Sequence, residues 1–275
     1  MSGGGLKTLR VPKVWGRSDL PAPFDGPESE PIGEIWFEPP PALDAILAKY
    51  LFTSEKLSVQ VHPFAAASPT GCGKEECWLV VDAEPGATIG LGLKREVGKD
   101  ELRAAALDGS IEQLLAWHEV SAGDFLYIPA GTVHAIGPGL TLVEVQQNVD
   151  LTYRLYDYGR PRELHLEEGI AASNPIPYVA PHIPHELVPG RNILANGPAF
   201  VLERWSISGA GTLAGDGRPV WLVPLAGGGS IDGEPFEAGG VWLVEEVAEL
   251  ALDPGTDMLV AYPGLDVNVA LWRAD

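Results

Sequence analysis

At 275 residues, with 45% apolar side chains, the chain can hold one large or two smaller domains with real cores. Its 38 acidic residues against 18 basic leave a net charge of −20, which offers no basic face to a phosphate backbone and argues against a nucleic-acid partner. No run of 18 apolar residues occurs and the N-terminus carries no apolar core segment, so neither a membrane span nor a secretory leader is expected. Cys72 and Cys77 are too few for a Cys₄ zinc site or a disulfide scaffold, which favours a reducing compartment, with the cytoplasm as the expected location.

The 33 glycines and 25 prolines fall between short Val/Ile/Leu/Trp runs, the punctuation of an all-β chain. Residues 32–37 read as a strand. The spacing of Leu43, Ile46 and Leu47 predicts a helix over 42–50. Residues 57–63 alternate, placing Val59 and Val61 on one face and Ser58, Gln60 and His62 on the other, a pattern suited to the lining of a pocket. Gly73-Lys74-Glu75-Glu76-Cys77-Trp78 then runs into an apolar strand; Glu75, pointing opposite to Glu76, is expected to be exposed. A second helix is predicted from about Asp100, as its cap, to Trp117, interrupted at Gly109 and carrying a stripe of Leu102, Ala105, Ala106, Ile111, Leu114 and Leu115. Strands return before His134, at 141–147 and at 151–158.

A Pro- and His-rich connector over 175–189 marks the expected domain change. It divides a first domain, residues 1–175 with a helical insert at about 100–117, from a smaller β domain, 176–275. The latter has predicted strands at 200–205, 220–223, 240–244, 258–262 and 267–272. No histidine follows His185, so the chemistry is assigned to the first half.

His62, His134, Glu76 and Gln60 could together form a mixed nitrogen–oxygen metal site with a position left open. Spacing alone does not separate that reading from ordinary histidines bonded to backbone, because no compact His-x-x-x-His element is present. His118 and His165 read as structural. Arg154, on an alternating strand, could serve chemistry or simply pair with Asp157 or Glu144.

Gly123 to His134 fits the second cupin motif, Gly-x₅-Pro-x-Gly-x₂-His, although Pro138 stands where an asparagine is usual. Leu57–Pro63 (LSVQVHP), Gly73–Trp78 (GKEECW), Gln146-Gln147-Asn148, Thr152–Asp157 (TYRLYD) and Ile32–Phe37 (IGEIWF) accompany it. In this order, over residues 10–160, the set resembles the type I mannose-6-phosphate isomerase family. The resemblance implies two cupin-like jelly-roll barrels, all-β with a small helical insert, the second barrel degenerate and without ligands. It implies one zinc per chain on Gln60, His62, Glu76 and His134, a ligand set that would also tolerate manganese, cobalt or nickel. It further implies an active-site arginine at Arg154, beside an oxyanion or the phosphate, and Lys74 and Glu144 as the candidates for proton transfer. Lys56, Ser58 and Arg160 are implied as contacts to the phosphate or hydroxyls of a small sugar-phosphate substrate.

The implied reaction interconverts mannose 6-phosphate and fructose 6-phosphate through a cis-enediol. Phe64-Ala65-Ala66-Ala67 replaces the acidic pair usual after the His-Pro, and is expected to reshape the pocket rim. Two alternatives stand beside this: an isomerase of another sugar phosphate, with an altered rim, and a non-enzymatic sugar-binding or regulatory cupin. The latter would be expected to drop a ligand or the Lys74/Arg154 pair.

Overall fold

A computed structural model describes residues 3–26 and 28–275. Four antiparallel sheets stack in pairs. The first pair is a six-stranded sheet, in the order Lys7–Arg17, Ile32–Glu38, Ile46–Thr53, Leu140–Gln147, Glu76–Ala83 and Phe125–Ile128. Facing it is a five-stranded sheet of Tyr153–Tyr156, Val59–Val61, His134–Ile136, Thr88–Leu93 and Leu115–Glu119. The second pair takes the strands from His185 onward, together with Gly3–Gly5, which pairs with Trp242–Val244. Two facing sheets per barrel give the cupin-type all-β fold.

Each layer of core follows from the period-2 alternation of its strands. In Ile46–Thr53 the even positions, Ile46, Ala48, Tyr50 and Phe52, join Ile35, Phe37, Val143 and Val145 against Phe200, Leu202, Trp221 and Leu259 of the seven-stranded sheet. The odd positions turn into the first barrel, where Leu51 packs with Trp15, Trp78, Ile89 and Leu142. The strand is therefore buried on both sides throughout. That corrects the predicted helix over 42–50: only Pro41–Leu43 is helical, as a 3₁₀ turn. A nearly continuous apolar run, broken only by Lys49 before Thr53, carries no alternation to betray a strand, and its helical spacing is accidental.

The helical insert is shorter than predicted. Lys99–Asp108 ends at Gly109, which takes the left-handed conformation (φ 82°), then Ile111–Leu114 makes one turn, and Leu115–Glu119 is a strand. Gly98, not Asp100, holds the N-cap position, and no side chain caps it. Leu102, Ala105, Ala106 and Ile111 pack on Val59, Val61 and Ala135, the outer face of the five-stranded sheet. A further helix, Leu166–Ala172, covers the same face and had no clear signal in the sequence. Of the predicted 267–272 strand only the end exists, in Trp272–Ala274. No helix among the described residues is long and apolar enough to cross a membrane.

Candidate metal centre and cavity

Because Val59 and Val61 face the helices, Ser58, Gln60 and His62 face the barrel interior. In the opposing sheet Cys77 and Leu79 face the seven-stranded sheet, which turns Glu76 and Trp78 inward. His134, Gln60 and Arg154 are lateral partners across adjacent strands of one sheet. Trp36, Lys49, Glu144 and Trp78 are lateral partners in the other. The site is built between these two rows.

His62, Glu76 and His134 are buried, with a donor atom from each lying within 4.8 Å of the others. His62 Nδ1 donates to the Leu151 carbonyl and His134 Nδ1 to the Thr132 carbonyl, both at 2.9 Å. Each bond leaves Nε2 as a lone pair aimed inward. His62 Nε2 lies 3.2 Å from Glu76 Oε2, and His134 Nε2 lies 3.5 Å from Glu76 Oε1. Neither carboxylate oxygen accepts a well-formed hydrogen bond. Three acceptor groups thus converge on one buried point that favours positive charge; Lys74 supplies part of it, and a divalent ion would supply more.

Burial pushes His134 down to about 4, so it presents a neutral imidazole at pH 7. Burial also opposes the Glu76 carboxylate, yet His62 and the Lys74 ammonium hold it well below the usual range. Imidazole nitrogens and a carboxylate are the donors that zinc and similar divalent metals take, so the residues fit such an ion.

Lys74 Nζ sits 3.2 Å from both His62 Nε2 and Glu76 Oε2. Gln60 turns its Nε2 to His134 Nε2 at 3.2 Å, and its Oε1 accepts from Ser58 Oγ at 3.1 Å. Half a turn of the amide would aim Oε1 at the ligand set while Nε2 donated to Ser58. The serine hydroxyl serves either state because it both donates and accepts. Ser58→Ala is therefore expected to lower metal affinity by about 10- to 100-fold, measured by competition with a chromogenic chelator. Unchanged affinity would remove Ser58 from the orientation of Gln60.

Above this set opens a cavity of about 340 Å³. Its lining carries five basic side chains (Lys13, Lys49, Lys74, Arg154, Arg162) against three acidic ones (Glu34, Glu144, Asp150), with Trp15, Trp36, Trp78, Thr152 and His165 between them. In a chain with twice as many acids as bases, that is a local reversal of charge. Glu144 is fixed at both oxygens, accepting from Trp78 Nε1 at 2.9 Å and pairing with Lys49 Nζ at 3.2 Å. Lys49 also lies 4.6 Å above the Trp36 ring and 3.9 Å from Glu34, which pairs in turn with Lys13 and accepts from the Trp36 indole. Burial works against the Lys49 ammonium, but Glu144 and Glu34 raise it above its ordinary value.

The structure thus brings Gln60, His62, Lys74, Glu76, His134, Glu144, Ser58 and Arg154 to one space. Lys56 and Arg160 stand apart from it. Lys56 pairs with Glu112 over the Trp117 and Tyr158 rings, while Arg160 reaches Asp157, Glu55 and the Lys56 carbonyl. Both lie outside the cavity lining, whereas Arg162 and His165, the latter expected to be structural, line it. Phe64–Ala67 also lies outside the lining, with 65–67 as a 3₁₀ turn. Glu75 is partly buried rather than exposed, accepting from the Ala130 amide. Lys49, Glu34 and Trp36 were missed. The one legible trace was a lysine inside an otherwise apolar run.

No family model matches the chain. The mannose-6-phosphate isomerase of Streptococcus mutans is 38% identical over 198 residues, 68% of this chain and 62% of that protein. The mannose-6-phosphate isomerase ManA of Bacillus subtilis is 37% identical over 217 residues, 70% of this chain and 67% of the relative. This chain belongs to the mannose-6-phosphate isomerase family. Its match spans somewhat under two thirds of the S. mutans isomerase's length. Over the whole fold, the crystal structure of the mannose 6-phosphate isomerase from Bacillus subtilis superposes with a TM-score of 0.79 at 27% identity, covering 95% of this chain and 99% of that one. A zinc-bound mannose 6-phosphate isomerase shares the fold at 14% identity, with a TM-score of 0.74 and coverage of 96% and 100%.

Proposed function

We propose that the chain is a zinc-dependent isomerase interconverting mannose 6-phosphate and fructose 6-phosphate. The observation that carries this reading is the buried His62/Glu76/His134 cluster, touched by Lys74 and opening on a cavity with a local excess of positive charge. Membership of the isomerase family supplies the reaction. The reading includes one metal per chain and a cytoplasmic setting, in keeping with the free thiols of Cys72 and Cys77.

In the open-chain aldose the C2–H bond breaks, and its electron pair forms the C1–C2 double bond as the carbonyl O1 takes up a proton. The cis-enediol then loses the O2 proton and gains one at C1, giving the ketose with no net oxidation. Zinc, when bound, supplies a Lewis acid and a template for the charge developing on the sugar oxygens. We assign the carbon-bound proton to Lys74, whose Nζ lies beside the ligand set and lines the cavity. Glu144, with both oxygens engaged by Trp78 and Lys49, is suited to holding hydroxyls in place. Trp15, Trp36 and Trp78 line the cavity as apolar surfaces against which the sugar chain can lie.

The test is isomerase activity on mannose 6-phosphate before chelation, after it, and with zinc restored. Activity is expected to disappear and return. Lys74→Met is expected to keep its metal and lose about 100-fold or more in kcat. A metal-loaded wild-type protein that turns over no mannose 6-phosphate would sink the proposal.

A further inference from the structure

Within the reading just proposed, one question is where the substrate's phosphate goes, and the arginines beyond the metal centre answer it. Arg154 is two strands away from His134 along the row His134–Gln60–Arg154, a separation of about 10 Å at the strand spacing. An open-chain hexose 6-phosphate, with C1 at the metal centre, reaches roughly 8–9 Å to its phosphorus, by seven bonds of ordinary length. The Arg154 guanidinium is held by Nη1, which donates at 2.7 Å to the carbonyl of Glu163, the residue next to Arg162. Arg154 therefore stands at the phosphate end of the cavity, not at the reacting carbons.

A second guanidinium meets it there. Arg162 donates Nε and Nη2 to the two oxygens of Asp157, both at 2.6 Å, which leaves Nη1 unpaired among the described residues. Asp157 is itself buried and also takes Arg160 at 3.1 Å, so its carboxylate anchors the fork from behind. Arg154 has no carboxylate within ion-pair reach among the described residues, and its Nε–H is buried without a partner. Burial, with the neighbouring Arg162 charge adding to it, pulls the Arg154 guanidinium below its usual value. Two like charges on one cavity wall, one carrying an orphaned donor, repel each other when alone and are favourable around a dianion. His165 lines the same wall and accepts from the Arg154 amide at 3.2 Å, tying the strand to the segment that carries Arg162.

We propose that Arg162 joins Arg154 to form the subsite for the substrate's terminal phosphate dianion, with Asp157 as the residue that positions Arg162. Arg160, which the sequence resemblance pointed to, shares the Asp157 carboxylate but turns its remaining donors to Glu55 and the Lys56 carbonyl, outside the cavity.

The experiment uses the zinc-loaded full chain and two independent readouts: calorimetric binding of inorganic phosphate, and KM and kcat on mannose 6-phosphate. Arg162→Gln, at a half-exposed position that tolerates change, is expected to weaken phosphate binding and raise KM by about 10- to 100-fold, with kcat within a few-fold of wild type. Asp157→Asn is expected to move the same two numbers in the same direction, a KM-against-kcat split that general loosening would not produce. Arg160→Gln is the comparison, because it removes the same charge from the same carboxylate. A loss in Arg160→Gln equal to that in Arg162→Gln, or wild-type phosphate binding and KM in Arg162→Gln, overturns the subsite and leaves the isomerase reading intact. Phosphate bound by the wild type and lost in Arg162→Gln, in a protein with no isomerase activity, upholds the subsite and rejects the isomerase reading instead.

Discussion

Replacing Glu76 by glutamine is expected to abolish metal retention and to reduce isomerase turnover by about 10³-fold or more. The substitution conserves shape and removes one charge, so what changes is electrostatic. In the wild type the two Glu76 oxygens face the Nε2 atoms of His62 and His134 at 3.2 and 3.5 Å, and a cation held there would satisfy all of them. With an amide there, an NH₂ can donate to an imidazole, and the space no longer calls for a metal. Lys74 simultaneously loses its buried counter-charge, a change that costs about 3–5 kcal/mol when one member of a buried pair is removed. Two measurements separate these consequences. Metal content per folded chain should fall to background. The thermal midpoint of the wild type should drop on chelation, since a ligand at 100 times its Kd stabilises by about 2.7 kcal/mol, whereas the midpoint of Glu76→Gln should not respond. A variant that kept stoichiometric metal and a chelator-sensitive midpoint would remove Glu76 from the ligand set.

What could be read in advance divides along a physical line. The strand at 57–63 was legible because one of its faces is apolar and the other polar, and that contrast survives in the fold as helices on one side and cavity on the other. The strand Ile46–Thr53 was misread because both of its faces are buried, one against the second barrel and one within the first. Lys49 disappeared with it, although it is the residue that ties Glu144 to Glu34. Lateral neighbours such as Gln60 and Arg154 are fixed by sheet register, which joins residues far apart in the chain and leaves no mark in local spacing. For the same reason Arg160 and Arg162 could not be told apart from sequence. Only Pro161 separates them, and which one enters the cavity depends on how the turn presents each to Asp157.

A stability effect of comparable size is expected away from the cavity, at Arg191. Inside the second barrel Arg191 and Glu203 form a fully buried bidentate pair, with both distances at 2.9 Å. Glu203 also accepts from Trp205 Nε1 and Tyr262 Oη, each at 2.6 Å, and Arg191 donates onward to the carbonyls of Asn268 and Val269. Arg191→Met strands the carboxylate and both carbonyls in a dry core, a loss of about 3–5 kcal/mol. The double variant Arg191→Met/Glu203→Leu is expected to recover part of it, because no charge is then left unpaired, while the Trp205 and Tyr262 donors remain to limit the gain. Urea denaturation of the four proteins of this cycle gives the coupling directly, and a single-variant loss below about 1 kcal/mol would show the pair to be dispensable. The same experiment reaches the cavity through the shared core. Phe200, Leu202 and Leu259 of the second barrel's sheet pack on Ala48, Tyr50 and Val145, the reverse faces of the strands that carry Lys49 and Glu144. Opening the second barrel uncovers that surface. Isomerase activity and the fluorescence of the buried Trp205 and Trp221 should therefore be lost in one coincident transition, at a lower urea concentration in Arg191→Met than in the wild type. Two separated transitions would mean that the first barrel stands without its partner.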